Sequence, residues 1–256
     1  MTYCCAIRLD AGLVLCTDSR TNAGTDQVNT YSKMHRFVWP GNRVLFLLSA
    51  GNLATTQGVI GRLNKDLERN AHINLLNLPT MTDVAQYVGM ISADVQHNQM
   101  EREINNVNFE ATFILGGQID TEAPAIFLIY PQGNFIHESP EHPFLQIGEI
   151  KYGKPILDRV IRPDLSLEAA GRCALVSMSS TMRSNVTVGP PIELALYSAG
   201  SLQEGRILIF DEDNQFFRSV TECWSNGLLQ ALDNLPRFFW EKNTDNTVSQ
   251  DSAPHF

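Results

Sequence analysis

The chain has 256 residues, a formal net charge of −9, 43% hydrophobic and 18% charged residues, values ordinary for a globular protein. No apolar stretch approaches the ~20 residues of a membrane-spanning helix. The acidic balance argues against a nucleic-acid partner or an anionic membrane surface, because both require concentrated positive charge. The N-terminus has no charged segment followed by an apolar one. We therefore expect no secretory signal and a cytoplasmic location.

Cysteine and histidine spacing argues against a metal or disulfide framework. The five cysteines are odd in number, have no C-x-x-C pair and in part lie in apolar runs, so they read as small core residues. The six histidines show no H-E-x-x-H spacing. We expect neither a metal nor another cofactor.

Strands dominate the first fifty residues. Apolar runs predict strands at 3–9 and 13–17, joined by a turn at 10–12. The polar segment 19–31 contains Gly24 and reads as a loop. Strands at 33–39 and 44–48 flank a turn at 40–42. Four strands thus precede the first helix.

Helical and strand patterns alternate in blocks along the rest of the chain. Apolar spacing predicts a helix from Asn52 and a second at 82–100, capped by Thr82 or Asp83. A third helix is expected at 167–176 with Glu168 in its first turn. Beyond a turn at 211–214 leading into 215–220, a last helix is expected at 223–239, ending near Pro236. Further strands are predicted at 111–115, 125–129, 134–137, 144–147, 192–197 and 206–210.

This order of elements predicts an α+β fold. It is the order expected when two antiparallel sheets pack face to face with helices outside, a four-layer α-β-β-α sandwich. We expect one domain over 1–240. Residues 241–256 are polar and aperiodic and are expected to form a loosely ordered tail.

Thr2 stands immediately ahead of the first predicted strand. If Met1 is removed, Thr2 carries both a hydroxyl and a free α-amine, and such an amine can act as general base for the hydroxyl, so no histidine is needed. The hairpin at 3–17 brings Asp18 close to residue 2. Lys33, with Asp18 as counter-ion, is the candidate cation that lowers the pKa of the amine. Gly51 is the candidate backbone donor for the oxyanion.

Each of these residues also has an ordinary structural interpretation. Thr2 could simply be part of a strand, Asp18 and Lys33 a surface ion pair, and the segment 49–52 a strand end followed by a helix cap. Their joint spacing favours the catalytic interpretation.

The combination of Thr2, Asp18-Ser19-Arg20, Lys33 and Ala50-Gly51 resembles proteasome β subunits and, in detail, the bacterial proteasome-related group called Anbu. The resemblance extends from residue 2 to about residue 210. It implies the four-layer sandwich of the N-terminal nucleophile hydrolases, self-assembly into rings or ring-like stacks, and threonine-dependent hydrolysis of peptide or related amide bonds. It also implies a supporting role for Arg20.

Family position further implies a substrate pocket formed by Thr21, Ser49, Leu53 and Gln57. Their small or polar side chains predict no strong selectivity for aromatic or basic substrates. The sequence does not identify an ATPase partner.

The C-terminal half departs from the family pattern. Proteasome β subunits carry a Gly-Ser-Gly segment whose serine supports the active threonine, and the matching stretch here is Gly148-Glu149-Ile150. They also carry an aspartate and, three residues later, a serine, where this chain offers Ser184 and Thr187. Hydroxyls can still hydrogen-bond a terminal amine. Glu149 changes the charge near that amine.

Two functional classes follow from these observations. The first is a self-compartmentalised threonine hydrolase, and the second is a catalytically silent scaffold subunit that keeps the fold for assembly. Homo-oligomerisation is expected in both, because apolar segments at 216–217 and 238–240 are too short to form a separate core and such patches usually mark subunit contacts.

Overall fold

The computed structural model describes residues 1–22, 28–100 and 108–241. Its strands are β1 (Tyr3–Leu9), β2 (Gly12–Asp18), β3 (Arg20–Asn22), β4 (Val28–Thr30), β5 (Met34–Trp39), β6 (Arg43–Gly51), β7 (Ala111–Ile119), β8 (Ala125–Ile129), β9 (Phe135–His137), β10 (Phe144–Gly148), β11 (Ile192–Ser198) and β12 (Arg206–Phe210). Its helices are α1 (Leu53–Glu68), α2 (Met81–Met100), α3 (Lys154–Val160), α4 (Leu167–Ser184) and α5 (Gln215–Asp233).

The strands form two five-stranded antiparallel sheets and a short ribbon. The first sheet has the order β10-β1-β2-β11-β12, and the second has the order β5-β6-β7-β8-β9. In the first sheet, β1 pairs with β2 through the tight hairpin, and Cys4 lies opposite Thr17. This register places the start of β1 beside the end of β2, where Asp18 lies.

Three clusters of buried apolar residues fill the spaces between the layers. In β1, Cys5 and Ile7 face a cluster shared with α3 and α4, whereas Cys4 and Ala6 face a cluster shared with the second sheet. A third cluster packs α1 and α2 on the other face of the second sheet. Because both faces of β1 are covered, its sequence is an apolar run and not an alternating pattern. The predicted α+β four-layer sandwich is confirmed.

Capping residues in the sequence mark the N-termini of two helices. The Asn52 side chain caps α1 by accepting from the backbone N–H groups of Ala54 and Thr55, and Ser166 caps α4. The predicted cap of α2 is wrong. Thr80, not Thr82 or Asp83, begins that helix, because its hydroxyl accepts from the Asp83 N–H at 3.1 Å and donates to the Asp83 carboxylate at 2.6 Å.

Other boundaries differ from the predictions because tertiary contacts override the local pattern. The predicted loop contains the β3–β4 ribbon, so six strands precede α1, and residues 23–27 lie outside the described residues. The sequence interpretation missed α3, a seven-residue helix whose single fully buried side chain is too little for a periodic signal.

The last helix begins at Gln215 and not at residue 223. Phe217 is only 8% exposed and packs in the cluster beneath α4, so the prediction that both Phe216 and Phe217 form an exposed patch is wrong for Phe217.

The chain forms two compact units, Met1–Thr221 and Glu222–Phe256. The first contains both sheets. In the second, the rings of Phe238 and Trp240 stack at 4.6 Å, and the Phe239 ring meets Trp240 edge-on at 4.7 Å. The predicted tail falls almost wholly on 242–256, which lie outside the described residues, so it stays a prediction. No helix in the described ranges is long and apolar enough to cross a membrane.

Candidate active site

Asp18 is the buried acceptor around which the N-terminal residues are arranged. Its side chain has no solvent exposure. One carboxylate oxygen accepts from the Tyr3 backbone N–H at 3.0 Å and from the Lys33 ammonium at 2.7 Å. The other accepts from the Gly189 N–H at 3.3 Å. Asp18 therefore ties the start of β1 to the segments that carry Lys33 and Gly189.

The charge state of Asp18 follows from these donors. Burial raises the pKa of the Asp18 carboxyl, while Lys33 and the backbone N–H groups of Tyr3 and Gly189 act to lower it. Both carboxylate oxygens accept hydrogen bonds from groups that can only donate, so no neighbour favours a proton on Asp18. The pair with Lys33 is accordingly an ion pair.

Lys33 precedes β5 and points inward. Its side chain is 6% exposed, and its ammonium also donates to the backbone carbonyl of Arg20 at 2.8 Å. The Arg20 guanidinium turns away and donates to the Val186 carbonyl at 2.8 Å. Arg20 therefore supports Lys33 through its backbone, and its side chain joins the ribbon to the loop after α4.

The backbone of Thr2 is held by the segment after β10. Its carbonyl accepts from the Glu149 N–H at 2.7 Å. Gly148 has φ +82°, and a Cβ at that position would lie 2.0 Å from the same carbonyl oxygen. A glycine is required here both by the backbone conformation and by the close approach of the chain.

The amino terminus lies among three charged side chains. Burial lowers the pKa of the Met1 amine, and Lys33 lowers it further, whereas Asp18 and Glu149 raise it. An amine on Thr2 would be one residue closer to β1, where Asp18 and the segment after β10 hold the backbone.

A groove of about 600 Å³ opens over the N-terminus, and an adjoining recess lies beneath it. Both are lined by Thr2, Gly51 and three of the residues predicted for the substrate pocket, Thr21, Leu53 and Gln57. The recess adds the fourth, Ser49, together with Lys33 and His35. Arg20 lines the groove only. The structure thus brings Thr2, which precedes β1, together with residues of β3, β6 and α1 around two adjoining cavities.

Gly51 ends β6 with φ +115°. A Cβ there would lie 2.3 Å from the Glu110 carbonyl oxygen on the neighbouring chain segment. The glycine is needed to turn the chain between β6 and the Asn52 cap of α1, and that turn places it in the wall of the cavity beside Thr2.

The three supporting residues predicted in the C-terminal half, Glu149, Ser184 and Thr187, differ in burial and in their contacts. Glu149 is buried, and one of its oxygens accepts from the Asn185 side-chain amide at 2.9 Å. Thr187 donates its hydroxyl to the same Asn185 side chain at 2.6 Å. Ser184 is exposed at the end of α4. Glu149 and Thr187 therefore belong to one network.

Asn185 and Gly189 were not singled out from the sequence. Gly189 donates to Asp18, and a Cβ on it would lie 2.4 Å from the Arg20 guanidinium carbon. Asn185 follows α4 and accepts the Thr187 backbone N–H at 3.0 Å, the Asx turn that an Asn-x-Thr sequence favours. That local motif could have identified Asn185, whereas the role of Gly189 requires the fold.

His35 lines the recess, and its burial predicts that folding stability depends on pH. Burial lowers its pKa from 6.5 to about 4, so the unfolded chain binds a proton between these values that the folded chain does not. Stability conferred by neutral His35 is complete above pH 6.5 and is lost as the pH falls toward 4, by up to about 3 kcal/mol. In denaturant titrations at pH 7 and 4.5, we expect His35→Gln to lose less stability than wild type. Equal losses of stability between pH 7 and 4.5 in His35→Gln and wild type would contradict this assignment. So would an equally reduced loss in the control His142→Gln, which changes an exposed histidine.

Comparison with known proteins places this geometry in a family. The family model described as "Proteasome subunit" matches residues 2–196. The solved structure of Anbu from Yersinia bercovieri is 41% identical, covers 93% of this chain and 99% of its own, and superposes with a TM-score of 0.87. A helical assembly of the Anbu complex from Pseudomonas aeruginosa is 44% identical, with 94% and 100% covered and a TM-score of 0.89.

A more distant relative is proteasome subunit beta 2 of Pyrobaculum neutrophilum, which is 24% identical over 204 residues, covering 79% of this chain and 92% of the relative. The fold and the matched length define a proteasome-type hydrolase subunit. The chain belongs to the proteasome subunit family and, within it, to the Anbu group.

Proposed function

We propose that this protein is a threonine hydrolase for peptide or related amide bonds, with Thr2 as N-terminal nucleophile once Met1 is removed. The observation that carries the proposal is the buried Asp18–Lys33 pair, whose carboxylate also holds the Tyr3 N–H directly after Thr2. Lys33 and Thr2 also line the same recess, which places the ammonium beside the proposed nucleophile.

The proposed chemistry uses the α-amine of Thr2 as general base. The Thr2 hydroxyl attacks the substrate carbonyl carbon and passes its proton to the amine, and the resulting ammonium gives that proton to the leaving nitrogen as the C–N bond breaks. Water then hydrolyses the ester. Lys33 supports this step because its charge favours the neutral amine that can accept a proton. Gly51, in the cavity wall, is the proposed oxyanion donor.

The function is tested by intact mass followed by covalent labelling. Purified protein should lack the mass of Met1, and an electrophile that bridges a hydroxyl and an adjacent amine should add its mass to the peptide beginning at Thr2. Protein that retains Met1 provides the control and should not be labelled, because its threonine has no free amine. Labelling of a cysteine or an internal serine would contradict the proposal and favour the alternative, a catalytically silent scaffold subunit.

We further propose that the subunit works in a homo-oligomer. The P. aeruginosa relative forms a helical assembly. The part of α5 that lies in the second unit carries exposed leucines one turn apart, Leu228 and Leu232, and Phe239 further along the chain is also exposed. Exposed apolar side chains grouped one turn apart on a helix are typical of protein contacts.

Charge on this helix should dissociate the assembly. We expect Leu228→Glu/Leu232→Glu to reduce the particle mass in light scattering at micromolar concentration, because each carboxylate would be buried without a partner in a subunit contact. Gln230→Glu, which adds a charge at an exposed position of the same helix, is the control and should assemble normally. A wild-type protein that stays monomeric at this concentration would contradict the oligomer proposal itself.

A further inference from the structure

Glu149 combines a position beside the terminal residue with an uncommon degree of burial. It follows Gly148 at the end of β10, and its backbone N–H donates to the Thr2 carbonyl at 2.7 Å. Its side chain is 8% exposed. A carboxylate removed from water to this extent is unfavourable unless other groups compensate its charge.

Its known partners compensate that charge only in part. Lys151 reaches one oxygen at 3.2 Å, but the Lys151 side chain is 66% exposed, so water screens its ammonium. The other oxygen accepts from the Asn185 amide, which is neutral. The carboxylate is therefore held in place, but these two partners neutralise only part of its negative charge. The rest can stabilise a nearby cation.

The orientation of the Asn185 amide follows from its other contacts. Its side-chain oxygen accepts both the Thr187 N–H and the Thr187 hydroxyl. The amide nitrogen must therefore be the atom that faces Glu149, and a flipped amide would place two acceptors together and lose the turn. Asn185 thus fixes the position of the Glu149 carboxylate without adding charge.

We infer that Glu149 is a positioning residue that stabilises the ammonium formed on Thr2 when the hydroxyl proton is transferred. This inference rests on the proposed function. In the chain that retains Met1, the charged groups that act on the Met1 amine are Lys33, Asp18 and Glu149, and the last two oppose Lys33. The Thr2 amine would lie one residue further along, in the residue whose carbonyl Glu149 holds through its backbone N–H. Lys33 keeps the resting amine neutral, and Glu149 is the counter-ion for the charge that appears during attack, so its effect is larger in the transition state than in the resting enzyme.

This role predicts that loss of the Glu149 charge lowers the pKa of the terminal amine, a change that loss of a purely structural residue would not produce. Glu149→Gln keeps the shape and the Asn185 contact but removes the negative charge, so the amine of processed protein should titrate at lower pH by at least about half a unit. Peptidase kcat should fall by roughly tenfold or more with little change in KM, and the acid limb of the pH profile should move to lower pH.

The amine can be titrated independently of turnover. The rate at which an acylating reagent modifies the terminal amine is measured against pH, by the mass of the N-terminal peptide, in processed wild type and Glu149→Gln. Glu138→Gln is the matched control, because Glu138 is also a buried glutamate but pairs with Arg8 at the other end of β1. We expect Glu138→Gln to titrate like wild type.

Two further variants keep the inference falsifiable. If Glu149→Gln does not fold, Asn185→Ala frees the carboxylate from its fixed position and should shift the amine in the same direction. Thr2→Ala carries the same amine, so the titration is informative even without activity. An amine pKa that stays unchanged or rises on removing Glu149 or Asn185 overturns the inference, whereas turnover retained in Thr2→Ala overturns the proposed function instead.

Discussion

Thr2→Ala should abolish peptide turnover, by roughly a thousandfold or more, while the folded protein keeps its assembly and thermal stability. The substitution removes the attacking oxygen but leaves the amine, the Tyr3–Asp18 hydrogen bond and the Lys33 ion pair in place. Because Thr2 is half-buried at the mouth of the groove, its truncation leaves no core cavity. Fluorogenic peptide assays on processed protein measure the effect.

Thr2→Ser is the matched control for this experiment. It keeps both a hydroxyl and an α-amine, so measurable activity should remain, and the same electrophile should label the terminal residue. Intact mass must establish Met1 removal in every variant. Turnover that persists in Thr2→Ala would show that the nucleophile lies elsewhere in the chain.

Lys33→Ala has the second largest expected effect, and it acts on both activity and stability. The Lys33 charge lowers the pKa of the Met1 amine, and we expect it to act in the same direction on the Thr2 amine of processed protein. Its loss should therefore move the acid limb of the pH–rate profile to higher pH and reduce the maximal rate. This direction is opposite to the one expected for Glu149→Gln. The two variants together therefore separate charge effects on the amine from general damage to the site.

The stability effect of Lys33→Ala follows from the burial of Asp18. Removing the ammonium leaves a carboxylate with no solvent exposure and only backbone donors, which should lower the free energy of unfolding by ~3–5 kcal/mol. Lys154→Ala is the control, because Lys154 pairs with Asp158 at the same 2.7 Å but is 47% exposed, and its loss should cost at most about 1 kcal/mol. Equal losses in denaturant titrations would contradict the assignment of Lys33 and Asp18 as a buried pair.

Local sequence determined the parts of this protein that depend on neighbouring residues. The apolar runs, the turn glycines and the helical spacing specify most strands and helices, and the cap at Asn52 follows from its side-chain chemistry. The relation of Asp18 to the N-terminus was also predictable, since a two-stranded hairpin with a tight turn must return beside its start. The hairpin does not reach Lys33, and it was the joint spacing of Thr2, Asp18 and Lys33, with the family resemblance, that identified them as a group.

Contacts between distant segments were decided only by the tertiary structure. Gly189 donates to Asp18 across 171 positions of sequence, and Asn185 meets Glu149 across 36. Neither contact leaves a local pattern, because each depends on how β10, β11 and α4 pack against β1 and β2. Helix α3, the start of α5 and the burial of Phe217 have the same origin. Short or mixed segments carry too little periodicity to specify their conformation, so packing against the sandwich determines it.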